Sequence, residues 1–141
     1  MGITITETID AAHYIPDHPK CGYTHGHTWV ITLTLWFNLE DEEVRSHLER
    51  HHMLVDFGAL KKWFWCIVGE YDHTLLNNYF SYPTCERIAQ TIAYQVKDRL
   101  SEVCKLPVRT INVLVSESED TNVTVTLELQ DKSRGLPSTV Q

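Results

Sequence analysis

The chain has 141 residues, 43% of them hydrophobic and 22% charged, with a net charge of -7 at neutral pH. That describes one ordinary globular domain, long enough to bury a core without disulfides. The acidic balance argues against nucleic-acid and membrane-surface partners, which call for a basic patch, and no stretch approaches the roughly 18 apolar residues of a membrane span.

In chain order, residues 3–10 (ITITETID) alternate β-branched and polar residues, the pattern of a half-buried strand. Ala11-Ala12-His13 then leads into a loop bounded by Pro16 and Pro19. Residues 28–37 (TWVITLTLWF) carry the strongest strand signal, with Trp29, Ile31, Leu33, Leu35 and Phe37 on one face and Val30, Thr32, Thr34 and Trp36 on the other. The two segments predict an antiparallel hairpin. Residues 38–51 are acidic and then mixed, a solvated excursion or helical insert in which His47, His51 and His52 read as surface residues. MLVDF (53–57) reads as a short buried strand, and Asp56 as the cap or a first-turn residue of a helix over roughly 59–71. Leu60, Trp63, Phe64, Ile67 and Val68 recur there at helical spacing, the pattern of a core face. After a loop over 71–80, Pro83 and Thr84 mark the start of a second helix running to about Leu100. Residues 108–117 and 122–130 are two further strands, joined by a turn at Glu119-Asp120-Thr121.

The expected order is therefore ββααββ, an α+β fold with a four-stranded antiparallel sheet and two helices on one face. Such a sheet leaves two unpaired edges, and joining subunits edge to edge into a barrel would remove them. One domain is expected over residues 1–130, followed by a polar tail over 131–141. The N-terminal residues MGITITETID have neither the basic nor the apolar region of a signal peptide. The four cysteines, Cys21, Cys66, Cys85 and Cys104, include no C-x-x-C pair, so free thiols in a reducing cytoplasm are expected.

The most informative stretch is DAAHYIPDHPKCGYTHGH, residues 10–27. His25 and His27 are separated by Gly26, and in an extended strand such residues share a face. His13, at the end of the preceding strand, is a third candidate ligand; His18 is not. Three histidines with an open fourth position are the pattern of catalytic zinc. Cys21 is a usable thiolate if a metal or a histidine–aspartate pair lowers its pKa; otherwise it is a fourth ligand or an inert thiol. Asp72-His73 is either an oriented imidazole or an exposed turn. Glu117 ends an apolar strand, as a solvent-facing residue or as an anchor for a ligand rich in N–H groups. Thr84 and Glu86 open the second helix, where capping and ligand contact are compatible.

Taken together, DAAH (10–13), CGYTHGH (21–27), LVDFGALK (54–61), YDHTLLN (71–77), PTCERIA (83–89) and VSES (115–118) resemble the 6-pyruvoyltetrahydropterin synthase / 6-carboxytetrahydropterin synthase family, in the family's own order. The resemblance implies the tunnelling fold, with trimers closing a barrel, pairs of barrels stacking into hexamers, and active sites between subunits. It implies a Zn2+ cofactor on His13, His25 and His27, Cys21 as the catalytic thiolate, Asp72 and His73 as its acid/base partner, and Glu117 as the grip on the pterin ring. Thr84 and Glu86 match the segment lining the pterin pocket. The implied substrate is 7,8-dihydroneopterin triphosphate. One branch of the family eliminates triphosphate to give a pyruvoyl product; the other also cleaves a carbon–carbon bond, releasing acetaldehyde on the way to 7-deazaguanine (queuosine-type) compounds. The three residues between Cys21 and His25 resemble the bacterial carboxy-forming branch, and the pyruvoyl-forming enzyme is the alternative. A non-catalytic zinc- or pterin-binding relative would be expected to lose Cys21 or the Asp-His pair. Departures from the family pattern fall at Ile9, Thr28, Tyr71 and Ser118, and the segment 38–51 is longer than the usual turn. Lys20 is a candidate for the triphosphate only because it adjoins Cys21.

Overall fold

A computed structural model describes residues 1–129. Two long strands, β1 (Gly2–His13) and β2 (His25–Trp36), pair antiparallel from Gly2↔Trp36 to His13↔His25. β3 (Thr110–Ser116) pairs with β2, and β4 (Val123–Glu128) with β3, both antiparallel, giving the sheet order β1-β2-β3-β4. Both hairpin strands run further toward the loop than the alternation suggested. His13, His25 and His27 thus lie on regular strand and inherit its register.

Three α-helices connect the two hairpins: α1 (Glu42–His51), α2 (Phe57–Val68) and α3 (Cys85–Arg99). Each begins at a residue whose side chain accepts a backbone N–H of the first turn: Asp41 from Val44, Asp56 from Ala59 and Thr84 from Arg87. α2 packs on β1, α3 on β3 and β4, and the two helices touch each other, so the expected pair covers one face of the sheet. The acidic segment resolves to α1, a helix beyond that pair. It ends at His52, whose left-handed backbone (φ 60°) returns an N–H to the Leu48 carbonyl.

The expected strand at 53–57 does not form. Residues 53–56 are irregular, and Phe57 is already the first residue of α2. Leu54 and Val55 are buried, which accounts for the apolar signal, but with Asp56 capping a helix the run is too short to extend a sheet. At its other end α2 stops at Val68 and tightens into a 3-10 turn over Gly69–Tyr71, so the helix begins two residues and ends three residues earlier than expected. The tail expected over 131–141 lies outside the described residues.

The core is the inner face of the sheet against α2 and α3. Trp29, Ile31, Leu33 and Leu35 of β2 are fully buried, as are Ile111, Val113 and Val115 of β3. Burying each such side chain stabilises the fold by about 1.5–3 kcal/mol. The opposite face of β2 carries Thr32, paired through its hydroxyl with Thr6, and Thr34, paired with Thr4. All four cysteines are free, and no described helix is long and apolar enough to cross a membrane.

Candidate active site

Strand periodicity builds the site. On β2 the buried row Leu35, Leu33, Ile31, Trp29 continues with His27 and His25; on β1 the row Ile5, Ile9, Ala11 continues with His13. Register sets His13 directly opposite His25 and His27 opposite Ala11. Three imidazoles therefore close one end of an apolar face. His13 is the only buried polar residue among those described, 2% exposed. The Trp29 ring, its N–H bonded to the Ala11 carbonyl, lies edge-on to both His13 and His27 and forms the floor.

The Nδ1 atom of His13 is 2.7 Å from the Pro83 carbonyl, and that of His25 is 2.6 Å from the Tyr23 carbonyl. A carbonyl only accepts, so each Nδ1 must donate, which leaves each neutral ring with its lone pair on Nε2. Those two Nε2 atoms lie 3.1 Å apart, an arrangement that two lone pairs tolerate only with a proton or a cation between them. The Nε2 of His27 is buried with no hydrogen-bond partner. All three ligand atoms fall within 4.8 Å of one another. Burial holds the His13 pKa below its ordinary value, against the Pro83 hydrogen bond and with help from His25 and His27, and so favours the neutral, ligating form. The donor set fits zinc: three nitrogens, backbone carbonyls fixing the tautomer of two, and no fourth histidine or cysteine in the cluster.

Glu117 is closer to this cluster than expected of a residue reaching a distant ring. It sits one residue past β3, on the same inner row as Val113 and Val115. Its Oε2 is 3.7 Å from Nε2 of both His13 and His27. The start of α3 abuts the same point. Pro83 supplies the carbonyl for His13, Thr84 caps the helix, and the Cys85 thiol is pushed up to about 12 by burial and by the charges of Glu117 and Glu86. Cys85 is therefore not the reactive thiol. Glu86 does not join the cluster; it borders an open groove between α3 and β4, with Gln90, Tyr94, Val125 and Leu127.

Cys21 is half-buried in the loop between β1 and β2. Its loop is organised by His18, whose Nδ1 accepts the backbone N–H groups of Lys20 and Cys21, while the Cys21 carbonyl accepts from Ile15. Gly22 is required here because a Cβ would fall 2.6 Å from the His18 carbonyl oxygen. Cys21 is not among the clustered ligand atoms, so the ligand reading of its thiol finds no geometric support.

Asp72 and His73 gather at the edge of β1. His73 adopts the left-handed conformation (φ 58°), which folds its ring back so that Nδ1 lies 2.9 Å from the preceding carboxylate. The backbone of Asp10 holds both residues: its N–H donates to the Asp72 carboxylate and its carbonyl accepts from His73. The Ala12 N–H bonds the Thr74 carbonyl, continuing the pairing. These contacts, with the Asp10 hydrogen bond foremost, hold the Asp72 carboxyl below its ordinary pKa. The Asp10 carboxylate accepts from Thr28, and Asp10, Asp72 and His73 form a second cluster distinct from the histidine triad. Sequence reasoning missed the Asp10, Pro83 and His18 contacts. Asp10 and Pro83 stood in motifs already singled out, DAAH and PTCERIA, and His18 in the stretch 10–27, but only the fold shows what each one bonds.

Comparison with known proteins adds an independent line. Residues 2–128 match the family described as PTPS, 6-pyruvoyl tetrahydropterin synthase. The chain is 33% identical to an Archaeoglobus fulgidus protein named as a candidate 6-carboxy-5,6,7,8-tetrahydropterin synthase, over 85% of this chain and 90% of that one. It is also 33% identical to the Bacillus subtilis 6-carboxy-5,6,7,8-tetrahydropterin synthase, over 78% of this chain and 74% of that one. The solved structure of Caenorhabditis elegans 6-pyruvoyl tetrahydropterin synthase superposes with a TM-score of 0.68 at 19% identity, covering 91% of this chain and 96% of that chain, a likeness of fold.

Proposed function

The chain belongs to the 6-pyruvoyl tetrahydropterin synthase family, and we propose that within it the protein is a zinc-dependent 6-carboxy-5,6,7,8-tetrahydropterin synthase, a cytoplasmic carbon–oxygen lyase. The substrate on this reading is 7,8-dihydroneopterin triphosphate. The observation that carries the reading is the triad itself: three imidazoles with Nε2 atoms converging, one of them buried and unpartnered. The spacing Cys21-x-x-x-His25-x-His27 and the names of the two relatives favour the carboxy-forming branch.

His13, His25 and His27 would hold the metal, which when bound supplies Lewis acidity toward the two neighbouring hydroxyls of the substrate side chain. Cys21 takes the proton from the adjacent carbon as a thiolate. Asp72 orients His73, and His73 exchanges protons with the substrate as the partner acid/base. Glu117 accepts the paired N–H groups of the aminopyrimidinone ring, a fork that matches a carboxylate. Thr84, at the opening of α3, lines the ring pocket, and Glu86 would meet the ring only from its side of the helix, along the groove between α3 and β4. Triphosphate leaves, and carbon–carbon cleavage with uptake of one water releases acetaldehyde.

The edge of β4 and the edge of β1 before Asp10 support assembly into a trimer or hexamer, with the Asp72-His73 pair of one subunit completing the site of its neighbour. The test is incubation of purified protein with 7,8-dihydroneopterin triphosphate and trapping of volatile aldehyde. Stoichiometric acetaldehyde is expected. A pyruvoyl product without acetaldehyde places the protein in the other branch, and an untouched substrate with bound zinc leaves a non-catalytic binding protein.

A further inference from the structure

The surroundings of Glu117 pose a question that ring binding alone does not answer. Its side chain is 34% exposed, and among the described residues it has no lysine, arginine or hydrogen-bond donor on its carboxylate. Its close polar neighbours are the Nε2 atoms of His13 and His27, each 3.7 Å away. That separation is too long for a hydrogen bond. His13 must also donate from Nδ1 to Pro83, so its neutral ring turns a lone pair, not an N–H, toward the carboxylate. A carboxylate facing the His13 lone pair is repelled unless a cation stands between them. Two ligands of one tetrahedral zinc, with bonds of about 2.0–2.2 Å, lie roughly 3.3–3.5 Å apart. The observed 3.7 Å is within a few tenths of that spacing toward two ligands at once.

We propose that Glu117 is a displaceable fourth ligand: without substrate its carboxylate closes the metal held by His13, His25 and His27, and the pterin ring draws it off onto the ring N–H groups, freeing that position for the substrate side chain. The inference rests on the zinc and ring-anchor readings above and adds a coupling between them. Small polyols and sugars carry neighbouring hydroxyls but no N–H fork. They cannot move Glu117 and so meet a closed metal. Ring recognition becomes the condition for access to the metal.

The test uses the intact protein loaded with Co2+ in place of zinc, as wild type and as Glu117→Gln. The visible spectra should differ, because the amide is a poorer ligand than the carboxylate. In chelator competition, Glu117→Gln should hold zinc at least about 10-fold less tightly, the lower end of what loss of a supporting group costs a metal site. Unsubstituted pterin, lacking any side chain, should shift the wild-type spectrum toward that of the variant, and glycerol should not. Identical cobalt spectra together with equal zinc affinities overturn the proposal. So does a pterin that binds, as read by quenching of its own fluorescence, without moving the wild-type spectrum. This last arm uses unaltered protein and decides the matter even if the variant fails to fold. A wild-type protein that takes up no metal, or a His25→Ala variant that binds it undiminished, refutes instead the triad as the metal site. Pterin that does not bind at all refutes the ring-anchor role and leaves the ligand role to the affinity comparison.

Discussion

His13 and Asp10 stand three residues apart on β1 and serve polar clusters of opposite character. The His13 cluster lies on the inner face, where the apolar rows of β1 and β2 end; its floor is Trp29, and backbone carbonyls fix two of its three rings. The Asp10 cluster hangs on the strand's outer edge, and the His73 side chain is 78% exposed although its orientation is fixed as firmly, by Asp72 and by Asp10. A surface imidazole held in one pose has an ordering cost, and among the described residues the partner of its ring is Asp72. The inner cluster is complete in one subunit. Under the proposed function the outer one is half of a site between subunits, oriented in advance for a substrate held by the neighbouring chain.

The sharpest way to break that comparison is to remove one imidazole from each cluster. His25→Ala should abolish activity, by more than about 10⁴-fold, together with stoichiometric zinc, because the ion loses one of three ligands. His73→Ala should lower kcat by about 10²–10⁴-fold, the range for a lost acid/base group, and keep its zinc. Metal content by atomic absorption, set beside turnover, separates the two. The pair also tests subunit sharing. Each variant keeps the half-site that the other lacks, so unfolding and refolding the two together should restore part of the activity. Mixtures that stay inactive, while a wild-type control refolds, would show that both clusters work within one chain.

A smaller effect tests the fixed pose of His73. Asp72→Asn keeps the shape and the acceptor for the Asp10 N–H but removes the charge beside the ring. Activity should fall about 10–100-fold, as when the orienting partner of a functional histidine is lost. The wild-type carboxyl, with its pKa depressed, stabilises the fold fully above its unfolded value and loses that contribution as pH falls through its lower folded value. The stability gap between wild type and Asp72→Asn in urea titrations should therefore close on the acid side of the ordinary carboxylate range. A gap that widens there would contradict the hydrogen-bonding account of Asp72.

How much of this was legible beforehand depends on whether the cause was local. The period-two alternation on 28–37 assigned the β2 side chains from Trp29 to Trp36 to their observed faces, and the same period aims His25 and His27 together. Asp56 and Thr84 announced their helices because capping is a one-residue signal. The segment 53–57 misled because a short buried apolar run has no period of its own, and a helix cap decided it. The closeness of Asp72 to His73 could not be read either, since adjacent side chains usually diverge and a left-handed histidine is needed to bring them together. Glu117 was legible as an odd carboxylate on an apolar strand. Its distance to His13 and His27 depends on how β1, β2 and β3 share one inner face, which is a tertiary fact.

The smallest expected effect concerns what ties the inner cluster to the rest of the fold. α3 begins at Thr84, whose hydroxyl accepts the Arg87 N–H, and the residue just before it supplies the carbonyl that fixes His13. Thr84→Ala removes the cap and should cost about 1 kcal/mol of stability, while Thr84→Ser should recover most of it. If the helix start also sets the tautomer of His13, Thr84→Ala will weaken zinc binding by a few-fold beyond its effect on folding, since a supporting hydrogen bond to a ligand is loosened rather than removed. Chelator competition at a temperature where both variants are fully folded reads that difference. Equal zinc affinities would show that Pro83 is held in place by packing alone, and that the inner cluster is still more self-contained than its hydrogen bonds imply.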